Sequence, residues 1–114
     1  TVLVRMAAVL RDHLIAGVDL AARNGGDEFC AVVTDAHKTG AIERAQRFCT
    51  AVRATDFGVR QRITASVGVA AFPYDASDCN ALLEIADAAM YHSKRSGRDC
   101  VSFAAENATF AVYA

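Results

Sequence analysis

Arg23-Asn24-Gly25-Gly26-Asp27-Glu28-Phe29 lies between two short apolar runs, Val18-Asp19-Leu20-Ala21-Ala22 before it and Phe29-Cys30-Ala31-Val32-Val33 after it. Two strand-length runs joined by Asn-Gly-Gly predict a β-hairpin. Asn and Gly tolerate positive φ at little steric cost, so the turn chemistry agrees. A hairpin needs no acids at its tip, yet Asp27 and Glu28 stand there side by side. Adjacent carboxylates beside residues without side chains make a place where a phosphate ligand can approach the backbone and a divalent cation can be held. The competing reading is an ordinary solvated turn.

At 114 residues the chain is one domain at most, and a hydrophobic content of 54% is ample for a packed core. A net charge of −1 provides no electrostatic footprint for nucleic acid or an anionic membrane. No apolar run approaches the roughly 18 residues that a membrane-spanning helix needs. Thr1-Val2-Leu3-Val4-Arg5 lacks the basic-then-apolar layout of a signal peptide. Cys30, Cys49, Cys79 and Cys100 are widely spread, with no C-x-x-C, and read as reduced thiols of a cytoplasmic protein rather than as disulfides or zinc ligands. His13, His37 and His92 form no ligand pattern.

Residues 2 to 15 place Leu3, Met6, Val9, Leu10 and Leu14 at helical spacing, and Gly17 falls where that helix would stop. After the hairpin, Thr39 or Gly40 is positioned to cap a second helix whose inner face is Ile42, Ala45, Phe48, Cys49 and Val52. Asp56-Phe57-Gly58 ends it. Residues 63–72 predict a strand with Ile63, Ala65, Val67 and Val69 on one face and Thr64, Ser66, Gly68 and Ala70 on the other. The small face permits close helix packing or leaves room for a ligand. A third helix is predicted from Asn80 to Arg95, with Leu82, Leu83, Ile85, Ala86, Ala89 and Met90 inward and Gly97 as its terminator. Arg98 to Phe103 reads as a last strand, and Phe110, Val112 and Tyr113 lack a clear pattern. Helix, hairpin, helix, strand, helix, strand describes an α+β fold with an antiparallel-rich sheet and helices packed on it.

Three stretches in order carry a resemblance. Gly25-Gly26-Asp27-Glu28-Phe29 matches the signature of the GGDEF domain, the diguanylate cyclase family, letter for letter. Thr64-Ala65-Ser66-Val67-Gly68-Val69-Ala70 resembles its T-x-S-x-G-V-A strand. Ala86 to Asp99 resembles its A-D-x-A-M-Y-x-A-K-x-x-G-R-N segment, departing at Ser93 for Ala and Asp99 for Asn. The resemblance covers residues 1 to about 103, expected as an N-terminally incomplete GGDEF domain, with residues 104–114 as a C-terminal tail.

The resemblance implies a palm-like, ferredoxin-related nucleotidyl cyclase fold. It also implies a reaction in which two GTP molecules, one on each domain of a homodimer, condense into cyclic di-GMP and release two pyrophosphates. On that reading Asp27 and Glu28 are catalytic and bind Mg²⁺, with Mn²⁺ as an alternative. Gly25 and Gly26 let the nucleotide lie against the backbone, Leu3 packs near the base, and Lys94 and Arg98 hold the β- and γ-phosphates. The parent protein is expected to carry a sensory or phosphodiesterase domain and is free to be membrane-anchored, while this domain itself is cytoplasmic and contacts neither membrane nor nucleic acid.

Two departures matter. The family's product-inhibition site uses R-x-x-D just before the hairpin strand; Asp19 occupies the Asp place, but Ala16 stands where the arginine would be. Arginine is the bidentate ligand there, so the inhibition site is expected to be lacking. The family also begins with a strand bearing another metal-binding Asp and an N-D-x-x-G-H-x-x-G-D segment that reads guanine, and Thr1 falls just after where that segment would end. The 114 residues are therefore not expected to make cyclic di-GMP alone, and the absent strand is expected to leave an unpaired sheet edge. Three readings stand: a diguanylate cyclase domain, a silent GGDEF module that binds GTP or regulates a partner domain, and an α+β domain with no nucleotide role.

Overall fold

Helical apolar spacing produces α1 (Val2–Arg11), which buries Val9 and Leu10. The computed structural model describes residues 2–14, 19–25, 28–33, 37–105 and 109–113, and for residues 20–25 the backbone alone. α1 stops short of the predicted residue 15. His13 N–H donates to the Leu10 carbonyl at 3.0 Å and Leu14 N–H to the Arg11 carbonyl at 3.0 Å, the tighter pattern that closes a helix. The His13 ring lies 2.9 Å from the Val9 carbonyl, satisfying an acceptor that the helix end frees.

The hairpin is β1 (Leu20–Gly25) paired antiparallel with β2 (Glu28–Val32). It is followed by α2 (Lys38–Ala54). Neither Thr39 nor Gly40 caps that helix. Both lie in its first turn, and His37 holds the cap position with no side-chain hydrogen bond. Lys38, the first residue of the helix, is anchored through its side chain. Its Nζ donates to Asp75 Oδ1 and to the Ala104 carbonyl, each at 2.7 Å, and lies 4.7 Å from the Tyr74 ring centroid.

The predicted strand over 63–72 is paired only at β3 (Val67–Val69). Its partner β4 (Val101–Ala104) supplies three register positions: Val67↔Val101, Gly68↔Ser102 and Val69↔Phe103. This pairing is parallel, with α3 (Cys79–Arg95) as the crossover. Asp78 caps α3 through a 2.9 Å bond from Ala81 N–H. Residues 98 to 100 turn rather than extend, so β4 begins three residues later than predicted. β5 (Phe110–Val112) pairs antiparallel with β4, turning the unpatterned end of the chain into a third strand. The result is a two-stranded sheet and a mixed three-stranded sheet of order β3-β4-β5.

Ile42, Cys49, Val69 and Val101 form the buried centre, flanked by Ala41, Ala45, Ala65, Val67, Phe103 and Tyr113. Val52 and Val101 are fully buried, each contributing about 1.5–3 kcal/mol of transfer free energy. The small face of β3 serves close packing. A Cβ on Gly68 would overlap the Ala86 carbonyl oxygen and the Met90 backbone nitrogen and sit 2.9 Å from the Ala89 carbonyl carbon. α3 therefore lies directly on the β3 backbone. It buries Ala89 and Ser93, while Leu83, predicted inward, is 47% exposed. Among the described residues no helix is long and apolar enough to cross a membrane.

Candidate functional site

Strand pairing runs further into the glycine turn than the Asn-Gly-Gly reading implied. Arg23 pairs with Phe29 and Gly25 with Glu28, with a register shift between Arg23 and Gly25. Asn24 is thus the extra residue of a bulge, a device that bends a strand and re-aims the residues beyond it. Glu28 is the first residue of β2, half-buried, rather than part of the turn. Gly26 and Asp27, which the sequence singles out as backbone cradle and catalytic acid, lie outside the described residues.

The second group of candidates sits at the end of α3. Ser96 N–H donates to the His92 carbonyl, Gly97 adopts φ +102°, and Arg98 N–H donates to the Ser93 carbonyl at 3.0 Å. This is a Schellman close, which needs a residue free of a Cβ at Gly97. Lys94 lies in the last helical turn, half-buried, its Nζ 5.3 Å from the Tyr91 ring centroid. Arg98 comes after the close and is exposed. His92, Lys94 and Arg95 also crowd this turn, where cations suit the helix dipole.

Arg98 and Asp99 both carry positive φ, +63° and +51°. Two successive non-glycine residues in the left-handed region cost about 1–2 kcal/mol each, somewhat less for Asp. Asp99 is gripped by Arg53 from α2: Nε to Oδ2 at 2.7 Å and Nη2 to Oδ1 at 3.2 Å. The hydrogen bond and charge of Asp99 raise the Arg53 pKa above its ordinary value. Asp99 is one of the two departures from the family segment, and Ser93 is the other. Ser93 is fully buried, its Oγ 2.8 Å from the Val67 carbonyl and 2.7 Å from Ser102 Oγ, which lies 3.2 Å from His92 Nδ1. One proton order satisfies the row: His92 donates to Ser102, Ser102 to Ser93, and Ser93 to Val67. A hydroxyl where the family has a methyl is thus accommodated by a second buried hydroxyl opposite.

Asp19 is buried, and its carboxylate accepts a 2.9 Å hydrogen bond from Arg44 Nη2. Ala16, at the missing arginine position, lies outside the described residues. Leu3 is half-buried on α1. The site candidates therefore occupy three places: α1, the hairpin, and the exit of α3. Among the described residues no group of three or more His, Cys, Asp or Glu side chains gathers as a metal cage.

Sequence reasoning missed Arg44 and Arg53, neither of which belongs to the predicted inner face of α2. Their partners lie 25 and 46 residues away, and no local spacing announces them.

A family model described as "Diguanylate cyclase, GGDEF domain" matches residues 1–100. Diguanylate cyclase A of Treponema denticola is 32% identical over 92 residues, covering 78% of this chain and 25% of that protein. Cyclic di-GMP phosphodiesterase NbdA of Pseudomonas aeruginosa is 36% identical over 104 residues, 87% of this chain and 12% of that protein. The chain thus spans a quarter or less of the length of these two relatives. Among solved structures, the GGDEF domain of YfiN (TpbB) from Pseudomonas aeruginosa superposes with a TM-score of 0.80 at 33% identity, covering 93% of this chain and 68% of that one. The GGDEF domain of DgcB from Caulobacter crescentus, in complex with c-di-GMP, has a TM-score of 0.76 at 27% identity, covering 90% and 62%.

Proposed function

The chain belongs to the GGDEF domain family, and from that premise we propose that it is the GTP-handling part of a diguanylate cyclase, joining two GTP molecules into cyclic di-GMP. The observation that carries this is the intact Gly25-Gly26-Asp27-Glu28-Phe29 in the sequence, with Gly25, Glu28 and Phe29 on a β-hairpin, in a fold where the exit of α3 offers Lys94 and Arg98.

The reaction brings a 3′-hydroxyl to an α-phosphate that already carries negative charge. Its barrier falls when cations neutralise the charge that develops. Asp27 and Glu28 offer hard carboxylate oxygens, the donors that Mg²⁺ and Mn²⁺ prefer. A metal ion held there supplies charge neutralisation at the attacked phosphate. Asp27 assists deprotonation of the 3′-hydroxyl. Gly25 and Gly26 keep the backbone clear for the nucleotide, Leu3 contributes apolar surface near the base, and Lys94 and Arg98 hold the β- and γ-phosphates. Two copies of the domain, each with one GTP, complete the reacting pair. Its setting is the cytoplasm, beside a sensory or phosphodiesterase domain of the same protein.

The test is cyclic di-GMP formation from GTP and Mg²⁺ by the complete gene product, with Asp27→Asn as control. Turnover that Asp27→Asn abolishes supports the cyclase. Its absence in the unaltered protein supports a second reading, a silent module that binds GTP or regulates a partner domain. The similarity to a protein named as a cyclic di-GMP phosphodiesterase favours keeping that alternative.

A further inference from the structure

Arg98 is exposed, stands in a backbone conformation that side-chain-bearing residues avoid, and is followed by a second residue of the same kind. Turns of this type persist only where their surroundings over-determine them. Two features hold this one. The Schellman bond from Arg98 N–H to Ser93 fixes its near side. The fork of Arg53 on Asp99 fixes its far side, tying the turn to α2. An exposed ion pair is usually worth little, because two long side chains must be ordered to make it. Here the acceptor is a short Asp with few rotamers to lose, and the donor grips it at two points.

We infer that Arg53 and Asp99 are positioning residues for Arg98, setting the turn from which its guanidinium meets the triphosphate of GTP. The inference rests on the GTP-handling reading above and adds a second layer to it. Arg53 touches no ligand. It acts by narrowing the directions in which Arg98 leaves the chain, so less freedom is lost when a phosphate is bound. The pair also sets a limit on substitution. Asn at 99 keeps both the tolerance for positive φ and one acceptor for Arg53, whereas Ala keeps neither.

The experiment measures GTP affinity in the presence of Mg²⁺ by calorimetry on the complete gene product. Circular dichroism verifies that every variant is folded at the assay temperature. Arg98→Ala is expected to weaken GTP binding about tenfold, the loss of one charge-assisted contact. Arg53→Met and Asp99→Ala are each expected to weaken it about threefold to tenfold, and Asp99→Asn by less than about twofold. The deciding measurement is Asp99→Ala in an Arg98→Ala background, where its effect should vanish. An undiminished effect in that background, or no effect of Arg53→Met and Asp99→Ala while Arg98→Ala weakens binding, overturns the positioning role alone. No GTP binding by the unaltered protein, or none lost in Arg98→Ala, overturns the underlying assignment instead.

Discussion

Arg44 Nη2 lies 2.9 Å from Asp19 Oδ2, and the Asp19 side chain is fully buried. The same guanidinium nitrogen donates to the His13 carbonyl at 2.7 Å. One arginine on α2 therefore ties down both the exit of α1 and the entry to the hairpin. A carboxylate taken wholly out of water requires such a partner, because desolvation of an unpaired charge costs several kcal/mol.

Arg44→Ala is accordingly expected to destabilise the chain by about 1–3 kcal/mol, the usual cost of removing a charge-assisted hydrogen bond from a buried carboxylate. Urea unfolding at neutral pH reads it as a lower midpoint. Arg44→Lys should recover part of the loss, since a point charge replaces only one of the two contacts. A loss of less than about 0.5 kcal/mol in Arg44→Ala would show that Asp19 does not depend on the arginine.

The same pair bears on product inhibition. Asp19 is already engaged inside the protein, and Ala16 offers no guanidinium for a phosphate. Calorimetry with cyclic di-GMP should show no micromolar binding at this position. Micromolar binding that Asp19→Ala abolishes would sink the expectation.

Gly68→Ala should be among the costliest single-methyl additions in the molecule. The atoms that its Cβ would strike are all α3 backbone, which cannot rotate aside. Overpacking of this kind costs about 3 kcal/mol or more. Thermal unfolding of the variant should show it, and a shift within a degree or two of the unaltered chain would mean that α3 slides freely on β3.

Cys49 adds a pH dependence. Burial first, then the negative charge of Asp99, pushes its thiol from the ordinary 9.0 up to about 12. The unfolded chain releases this proton near 9, and the folded chain holds it until about 12. The contribution to stability is therefore complete below about 9 and is lost as pH rises through that window. Comparing urea midpoints at about pH 8 and pH 10 in the unaltered chain and in Cys49→Ala isolates it from other alkaline titrations. The unaltered chain should fall more steeply; parallel slopes would refute the assignment.

Legibility in the sequence tracks the range of each signal. Apolar spacing within a few residues located α1, α2 and α3, and Gly97 marked the end of α3, because each rests on neighbours one turn away. The hairpin was readable for the same reason, although the glycine turn looked longer than strand pairing allows. Phe110 to Val112 carried no legible signal, since a three-residue strand is defined by the β4 edge it joins.

The side-chain chemistry divides in the same way. Gly25 to Phe29, Lys94 and Arg98 announce themselves by residue type and order, which folding does not alter. The engagement of Asp19 by Arg44, of Asp99 by Arg53 and of Asp75 by Lys38 emerged only in three dimensions. Each joins residues at least 25 positions apart. Local periodicity specifies which face of an element is apolar, but a charge on the other face acquires its partner only when the core has closed and brought a second element alongside.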